Sequence, residues 1–289
     1  MKNMNDVTHF SRYTFGSMSL GRNPASVEAD LAVARRAMES GVWFHSSPTY
    51  NNGFTFMVLR RAFDENRSGV PRMIVKVRDA TPDLMRFEVE DSCRRLGLEA
   101  LDVAQLVSMD REPGNLVDQL RAGGGPLVDE LASLRGRGLI RQAVVYITPE
   151  NAEAAVEAVK RSDLIEGITL YWNAVQFDST DAAWSEIHAN DIPVLALRTL
   201  GGSMRDQNYT TKVDRLQELV TAAGCAGITE FNLRLAASEP AIRTTIGGTA
   251  SLEHLEMYLD ASHSAIALPA DILEQTRLLQ QDRIPSPSE

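Results

Sequence analysis

The sequence predicts an α/β fold, a closed (β/α)8 barrel of the TIM type. Eight short apolar runs alternate with longer amphipathic runs, the chain has 289 residues, and no linker or shift in composition divides it. A repeated strand–helix order implies parallel strands joined by right-handed crossovers. Eight such units in about this length close a barrel. The alternative is an open doubly wound sheet, and no GxGxxG follows the first strand to support a dinucleotide-binding version of it. One domain is expected over residues 1–289, with the tail 283–289, which carries Pro285 and Pro287, mobile.

The strands are expected at residues 14–19, 42–46, 73–77, 101–107, 140–147, 168–177, 194–200 and 244–246. Each is followed by a helix, with one extra helix near the C-terminus. Residues 25–40 place Val27, Leu31, Ala34 and Ala37 on one helical face. Residues 83–96 do the same with Leu84, Phe87, Val89 and Leu96, and Gly97 follows as a stop. Residues 151–160 and 212–223 are two more helices, and the glycine run 123–125 is a loop inside the fourth crossover. Phe56, Met57 and Phe87 read as packing residues.

Composition narrows the function. The chain is 44% hydrophobic and 24% charged, with a net charge of −10, so it can bury a large core. An acidic chain is a poor general binder of nucleic acid, whose phosphates need a basic surface. Two cysteines, Cys93 and Cys225, are too few for a disulfide framework or a cysteine-rich zinc site, and no metal site is expected. No apolar run is long enough for a signal peptide or a membrane span. A cytoplasmic protein with a small-molecule partner, and neither a nucleic-acid nor a membrane partner, is the expectation.

In a barrel of this type the chemistry sits at the C-terminal ends of the strands. Six segments there and nearby stand in order: GSMSLG at 16–21, GVWFHSSPTYNNG at 41–53, IVKV at 74–77, SCRRLGLEALDVAQLV at 92–107, LRGRGLIRQAVVY at 134–146 and IGGTASLEHLEMYL at 246–259. Together they resemble the aldo-keto reductase superfamily over nearly the whole chain. That resemblance implies the barrel fold, carbonyl reduction with a nicotinamide cofactor, usually NADPH, and a catalytic set of Asp, Tyr, Lys and His.

Tyr50 and Lys76 match the family tyrosine and lysine. His45 stands at the Asp position and Val107 at the His position. The resemblance makes the tyrosine a general acid, with the lysine's positive charge holding down its pKa. The positions implied for the nicotinamide amide hold Tyr146, Ile147 and Thr169. The stacking aromatic is replaced by Leu197, and a following serine by Arg198. Ile147 has no polar side-chain atom, so weak or absent NADPH binding is predicted. Gly247 and Gly248 precede a helix beginning near Leu252. With Ser251 they are the candidate cofactor-binding residues, through backbone N–H groups that can hold a phosphate.

His45, beside Tyr50 and across from Lys76, is the third catalytic candidate, and the three are expected to share one pocket with the Tyr hydroxyl and Lys amine joined by a direct or water-bridged hydrogen bond. Arg78 and Arg198 end strands. Each either pairs with an acid such as Asp79 or Asp110, or joins Lys76 in a cationic patch for a carboxylate or phosphate. Trp172 and Asn173 fall where the family has Tyr-Asn. Of Tyr171 and Trp172, one must face the barrel and the other outward. With Asp110, these residues complete the expected substrate site for Arg78, Arg198, Trp172 and Asn173.

Three readings of function stay open. One is a non-redox isomerase, lyase or dehydratase that uses Tyr50 and Lys76 on a small anionic carbonyl or hydroxy compound. A second is an NADPH-dependent carbonyl oxidoreductase with a rebuilt cofactor site. The third is a binding protein on a spent enzyme fold.

Overall fold

The computed structural model describes residues 10–107, 115–200 and 207–281. Asp110 and the expected tail 283–289 lie outside the described residues. The strands are β1 (Tyr13–Gly16), β2 (Trp43–Ser46), β3 (Met73–Arg78), β4 (Leu101–Val107), β5 (Ile140–Tyr146), β6 (Gly167–Asn173), β7 (Gln176–Phe177), β8 (Val194–Leu197) and β9 (Ile242–Gly247). All but β7 pair in parallel, in the order β5-β4-β3-β2-β1-β9-β8-β6, and a β5–β6 pairing closes the ring. The barrel therefore has eight parallel strands, and β7 is a short antiparallel return on β6.

The helices described are α1 (Val27–Glu39), α2 (Phe54–Glu65), α3 (Pro82–Leu96), α4 (Leu116–Ala122), α5 (Pro126–Gly136), α6 (Ala152–Arg161), α7 (Asp181–Ala189), α8 (Gln207–Ala222), α9 (Ile228–Ala237), α10 (Leu252–Ser264) and α11 (Ala270–Gln281). More helices than one per strand follow β4, β8 and β9. Gly123 ends α4 with φ 82°, and Gly97 ends α3 with φ 69°, the left-handed turn that glycine adopts without a Cβ penalty. None of the described helices is long and apolar enough to cross a membrane.

Three strands stop short of their expected ends by more than one residue, each for a local reason. β1 gives way after Gly16 to a 3-10 turn, Ser17–Ser19. β6 ends at Asn173, whose Oδ1 accepts from the backbone N–H groups of Val175 and Gln176 and folds the chain back as β7. β8 ends at Leu197 because Arg198 takes a left-handed conformation, φ 58°.

Side-chain alternation divides the apolar residues into two cores. Trp43, Ile74, Val103, Val144, Leu195, Leu197 and Ile246 fill the barrel interior. Phe44, Val75, Val77, Ala104, Leu106, Leu170 and Trp172 face the helix layer, where they meet Leu31, Phe56, Leu59, Val89 and Leu96. Phe56 is buried there as expected, but Met57 and Phe87 are each 63% exposed. At 100° per residue, the buried stripe of α3 runs through Met85, Val89, Cys93 and Leu96, and Phe87 falls on its outer side.

Candidate active site

Two alternations and one turn bring the site together. On β2, Trp43 belongs to the inner core, so His45 also points inward. On β3, Ile74 is inward and Lys76 follows it two residues later. Tyr50 opens a short turn, Tyr50–Gly53, in which Asn51 (φ 49°), Asn52 (φ 54°) and Gly53 (φ 86°) are all left-handed. Asparagine and glycine tolerate this region best. Asn51 Nδ2 donates to the carbonyls of Met18 and Leu20, which fixes the turn to the loop after β1.

Lys76 Nζ lies 5.4 Å from the centroid of the Tyr50 ring. The ammonium faces the ring, and no direct Lys76–Tyr50 hydrogen bond is present. Burial pushes the Lys76 pKa down, and the charge of Arg198 pushes it further down. No carboxylate among the described residues opposes this shift. Burial raises the Tyr50 pKa, and Tyr171 adds to the rise. The tyrosine is therefore a neutral O–H, and the lysine does not make it the more acidic group the sequence comparison implied.

His45 is 3% exposed and sealed inside the barrel. Its Nε2 donates to Gln105 Oε1 at 2.7 Å, and its ring centroid is 6.3 Å from that of Tyr50. Burial first, then the Lys76 charge, lowers its pKa to about 3, against a smaller opposing effect of Gln105. His45 is a neutral, hydrogen-bonded residue that shares the pocket wall with Tyr50. Gln105 itself was not foreseen. A glutamine among the apolar residues Val103, Ala104, Leu106 and Val107 of LDVAQLV was the available signal, because a buried amide needs a partner.

The cationic patch is smaller than expected. Arg78 Nε donates to Glu88 Oε1 at 2.5 Å, and its backbone N–H donates to Glu88 Oε2 at 2.7 Å. Glu88 lies on the buried side of α3, so the Arg78 fork is turned to the helix layer and removed from the substrate site. Arg198 remains. Its guanidinium carbon lies 4.1 Å above the Tyr171 ring, and its carbonyl accepts from Asn173 Nδ2 at 3.1 Å. Tyr171 meets Tyr146 edge-on at 5.6 Å.

Trp172 is a correction. It is 4% exposed within the outer core, because its neighbour Tyr171 takes the inward position. It cannot meet a substrate in the barrel mouth. Asn173 is 1% exposed and holds chain segments together, bonding Arg198, Val175 and Gln176, while its carbonyl accepts from Gln280. It positions Arg198 and is not a ligand contact.

At the last strand, a Cβ on Gly248 would lie 2.0 Å from the carbonyl oxygen of Gly16, and one on Gly247 would lie 2.2 Å from Leu200. Close approach of the Gly16 backbone already requires Gly248, whereas at Gly247 the neighbour is the Leu200 side chain. Ser251 is the N-cap of α10, accepting from the His254 N–H at 3.3 Å.

A sequence profile of the Aldo/keto reductase family matches residues 12–276. No curated protein sequence matches the chain. Among solved structures, an aldo/keto reductase from Klebsiella pneumoniae in complex with NADP and acetate superposes with a TM-score of 0.73 at 20% identity, covering 97% of this chain and 93% of that one. The holo form of an aldo-keto reductase from Bacillus halodurans gives a TM-score of 0.76 at 19% identity, over 96% and 94%. Likeness at such identity speaks for the fold, and the profile, which spans nearly the whole barrel, speaks for descent. The chain belongs to the aldo/keto reductase family.

Proposed function

We propose that this chain performs proton-transfer chemistry, and not hydride transfer, on a small anionic carbonyl or hydroxy compound bound in the barrel mouth. The observation that carries the reading is Lys76: half-buried, beside the ring of a neutral Tyr50, near the charge of Arg198 and without a carboxylate to hold its proton. A lysine in that setting offers a lone pair to a substrate carbonyl or its neighbouring C–H, and Tyr50 offers a proton to the oxygen. Arg198 binds the substrate's anionic group. A cation in the mouth of a chain with net charge −10 favours such a substrate locally.

A nicotinamide fits these residues poorly. Ile147 is buried in the outer core, Thr169 is fully buried, and Leu197 is 4% exposed in the inner core. Tyr146 packs edge-on against Tyr171, and Arg198 covers the Tyr171 ring. A carboxamide there would lack several of its hydrogen bonds, each worth about 1–3 kcal/mol when left unmade in a buried site.

The second reading, an NADPH-dependent carbonyl reductase, draws on the Klebsiella pneumoniae structure, which is a complex with NADP. One pair of measurements separates them. Pyruvate in D2O should exchange its methyl protons in the presence of the protein, more slowly with Tyr50→Phe, while NADPH and NADH at micromolar concentration leave tryptophan fluorescence unchanged. Saturable quenching by NADPH, with carbonyl reduction and no exchange, would establish the reductase instead.

A further inference from the structure

The turn that presents Tyr50 is an unfavourable one for the backbone, and it is held from two sides. Three successive residues, Asn51 (φ 49°), Asn52 (φ 54°) and Gly53 (φ 86°), are left-handed. Such a run persists only where its surroundings over-determine it. On one side, the Asn51 amide bonds the loop after β1 and reaches Thr55 Oγ1 at 3.1 Å. On the other side stands Arg95, on α3. Its Nη1 donates to the Pro48 carbonyl at 3.3 Å and its Nη2 to the Gly53 carbonyl at 3.0 Å. The two carbonyls bracket Tyr50 in the chain, and one guanidinium spans them.

Arg95 is itself fixed. Its guanidinium carbon lies 4.8 Å from the centroid of the Phe56 ring, which is buried in the first turn of α2. Its Nη1 also reaches Asp91 Oδ2 at 3.4 Å, one turn earlier on α3. Ring, carboxylate and two carbonyls together orient a single flat group. The adjacent Arg94 is exposed and bonds only Asp91 Oδ1 among the described residues. Gly53 is suited to receive the fork as well. A Cβ there would collide with Arg95 Nη2, so the position takes glycine both for its φ and for the approach of the guanidinium. None of the groups that Arg95 touches belongs to the inner core, so Arg95 acts on the site through the Tyr50 turn.

We propose that Arg95 is a positioning residue for Tyr50, holding the phenol at the barrel mouth in the place from which it delivers its proton. The inference rests on the reading of Tyr50 as the proton donor of the mouth, and it adds the group that sets where that donor stands. Two acceptors at opposite ends of one turn call for a forked donor. Lysine keeps the charge but offers one compact ammonium in place of the fork, so it holds one of the two carbonyls. With the other released, the left-handed run loses part of what fixes it, and the phenol moves from its buried place toward water. Burial is the main cause of the raised Tyr50 pKa, so that movement brings it down toward the ordinary 10.0.

The test compares the full chain with Arg95→Lys, Gly53→Ala and the double variant, with pyruvate in D2O as the probe. Arg95→Lys should lower the limiting rate of methyl exchange roughly 10- to 100-fold, the loss of a hydrogen bond from a charged group, while half-saturation by pyruvate moves less than about 2-fold. Gly53→Ala displaces the fork from the other side and should do the same. The double variant should be no slower than the slower single one, because both substitutions remove one contact. A second measurement needs no turnover. In protein isotopically labelled at the tyrosine Cζ, the resonance that Tyr50→Phe deletes should stay unmoved up to about pH 11 in the parent chain and titrate below it in Arg95→Lys, with circular dichroism unchanged. A rise in half-saturation at constant limiting rate, multiplicative losses in the double variant, or identical Tyr50 titrations would overturn the proposal. If the parent chain exchanges no pyruvate protons, the proton-transfer reading falls, and the tyrosine titration alone decides whether Arg95 places Tyr50. If Arg95→Lys does not fold, Gly53→Ala carries both comparisons.

Discussion

His45 Nε2 and Gln105 Oε1 lie 2.7 Å apart in the closed interior of the barrel, so a histidine that stands where the family carries a carboxylate is bonded to an amide. Around this neutral pair and Lys76 the barrel supplies burial and positive charge, and no carboxylate among the described residues opposes either shift. The low pKa of His45 and the poorly held proton of Lys76 have this common origin, since each is driven by burial and like charge with no acid to oppose it.

A pH dependence follows for His45. Its folded pKa of about 3 lies below the ordinary 6.5, so the unfolded chain binds the proton first as pH falls. The group is without effect above 6.5, and it destabilises the fold progressively between 6.5 and about 3. His45→Asn removes this titration and should flatten the acid side of the stability curve by up to about 1.4 kcal/mol per pH unit in that window. Urea midpoints of both proteins across the window check it, and parallel curves would show that another group sets the acid limit.

Lys76→Met should abolish pyruvate exchange and stabilise the fold. Removing a buried, uncompensated ammonium is expected to gain about 1–3 kcal/mol at neutral pH, a rise of several degrees in melting temperature. The folded pKa lies below the ordinary lysine value of 10.5, so the unfolded chain binds the proton more tightly and the gain should shrink as pH approaches that value. Calorimetry at neutral and alkaline pH measures it. A destabilised Lys76→Met would mean that the amine holds the barrel mouth together.

Tyr171→Leu removes the face on which Arg198 lies at 4.1 Å. A partly exposed cation–π contact is worth about 0.5–2 kcal/mol, so half-saturation by pyruvate in the exchange assay should rise roughly 3- to 30-fold, with the limiting rate little changed. A fall in the limiting rate with unchanged half-saturation would contradict Arg198 as the anion anchor.

Gly248→Ala places a methyl 2.0 Å from the Gly16 carbonyl oxygen, a backbone atom that cannot swing aside. The expected loss is about 1–3 kcal/mol, typical of overpacking, seen as a lower urea midpoint. Trp172→Phe, on the helix side of β6, should leave exchange kinetics untouched, whereas altered half-saturation would return Trp172 to the site.

The sequence by itself determined the barrel and the inward alternation that sets His45 and Lys76 on neighbouring strands. Strand–helix alternation and the two-residue period are local properties, and a closed parallel ring is the compact arrangement that buries both faces of eight such strands. Which inward residue meets which depended on parts of the chain far apart. Arg78 is bound by Glu88, ten residues on, because one turn of α3 carries the acid to the inner side of the helix. Tyr171 and not Trp172 faces the mouth because the register of β6 is set by its pairing with β5 and β8. The charge on Lys76 was decided last and least locally: the shift comes from burial and from Arg198 on β8's far end, and burial is a property that no single segment possesses until the ring closes around it.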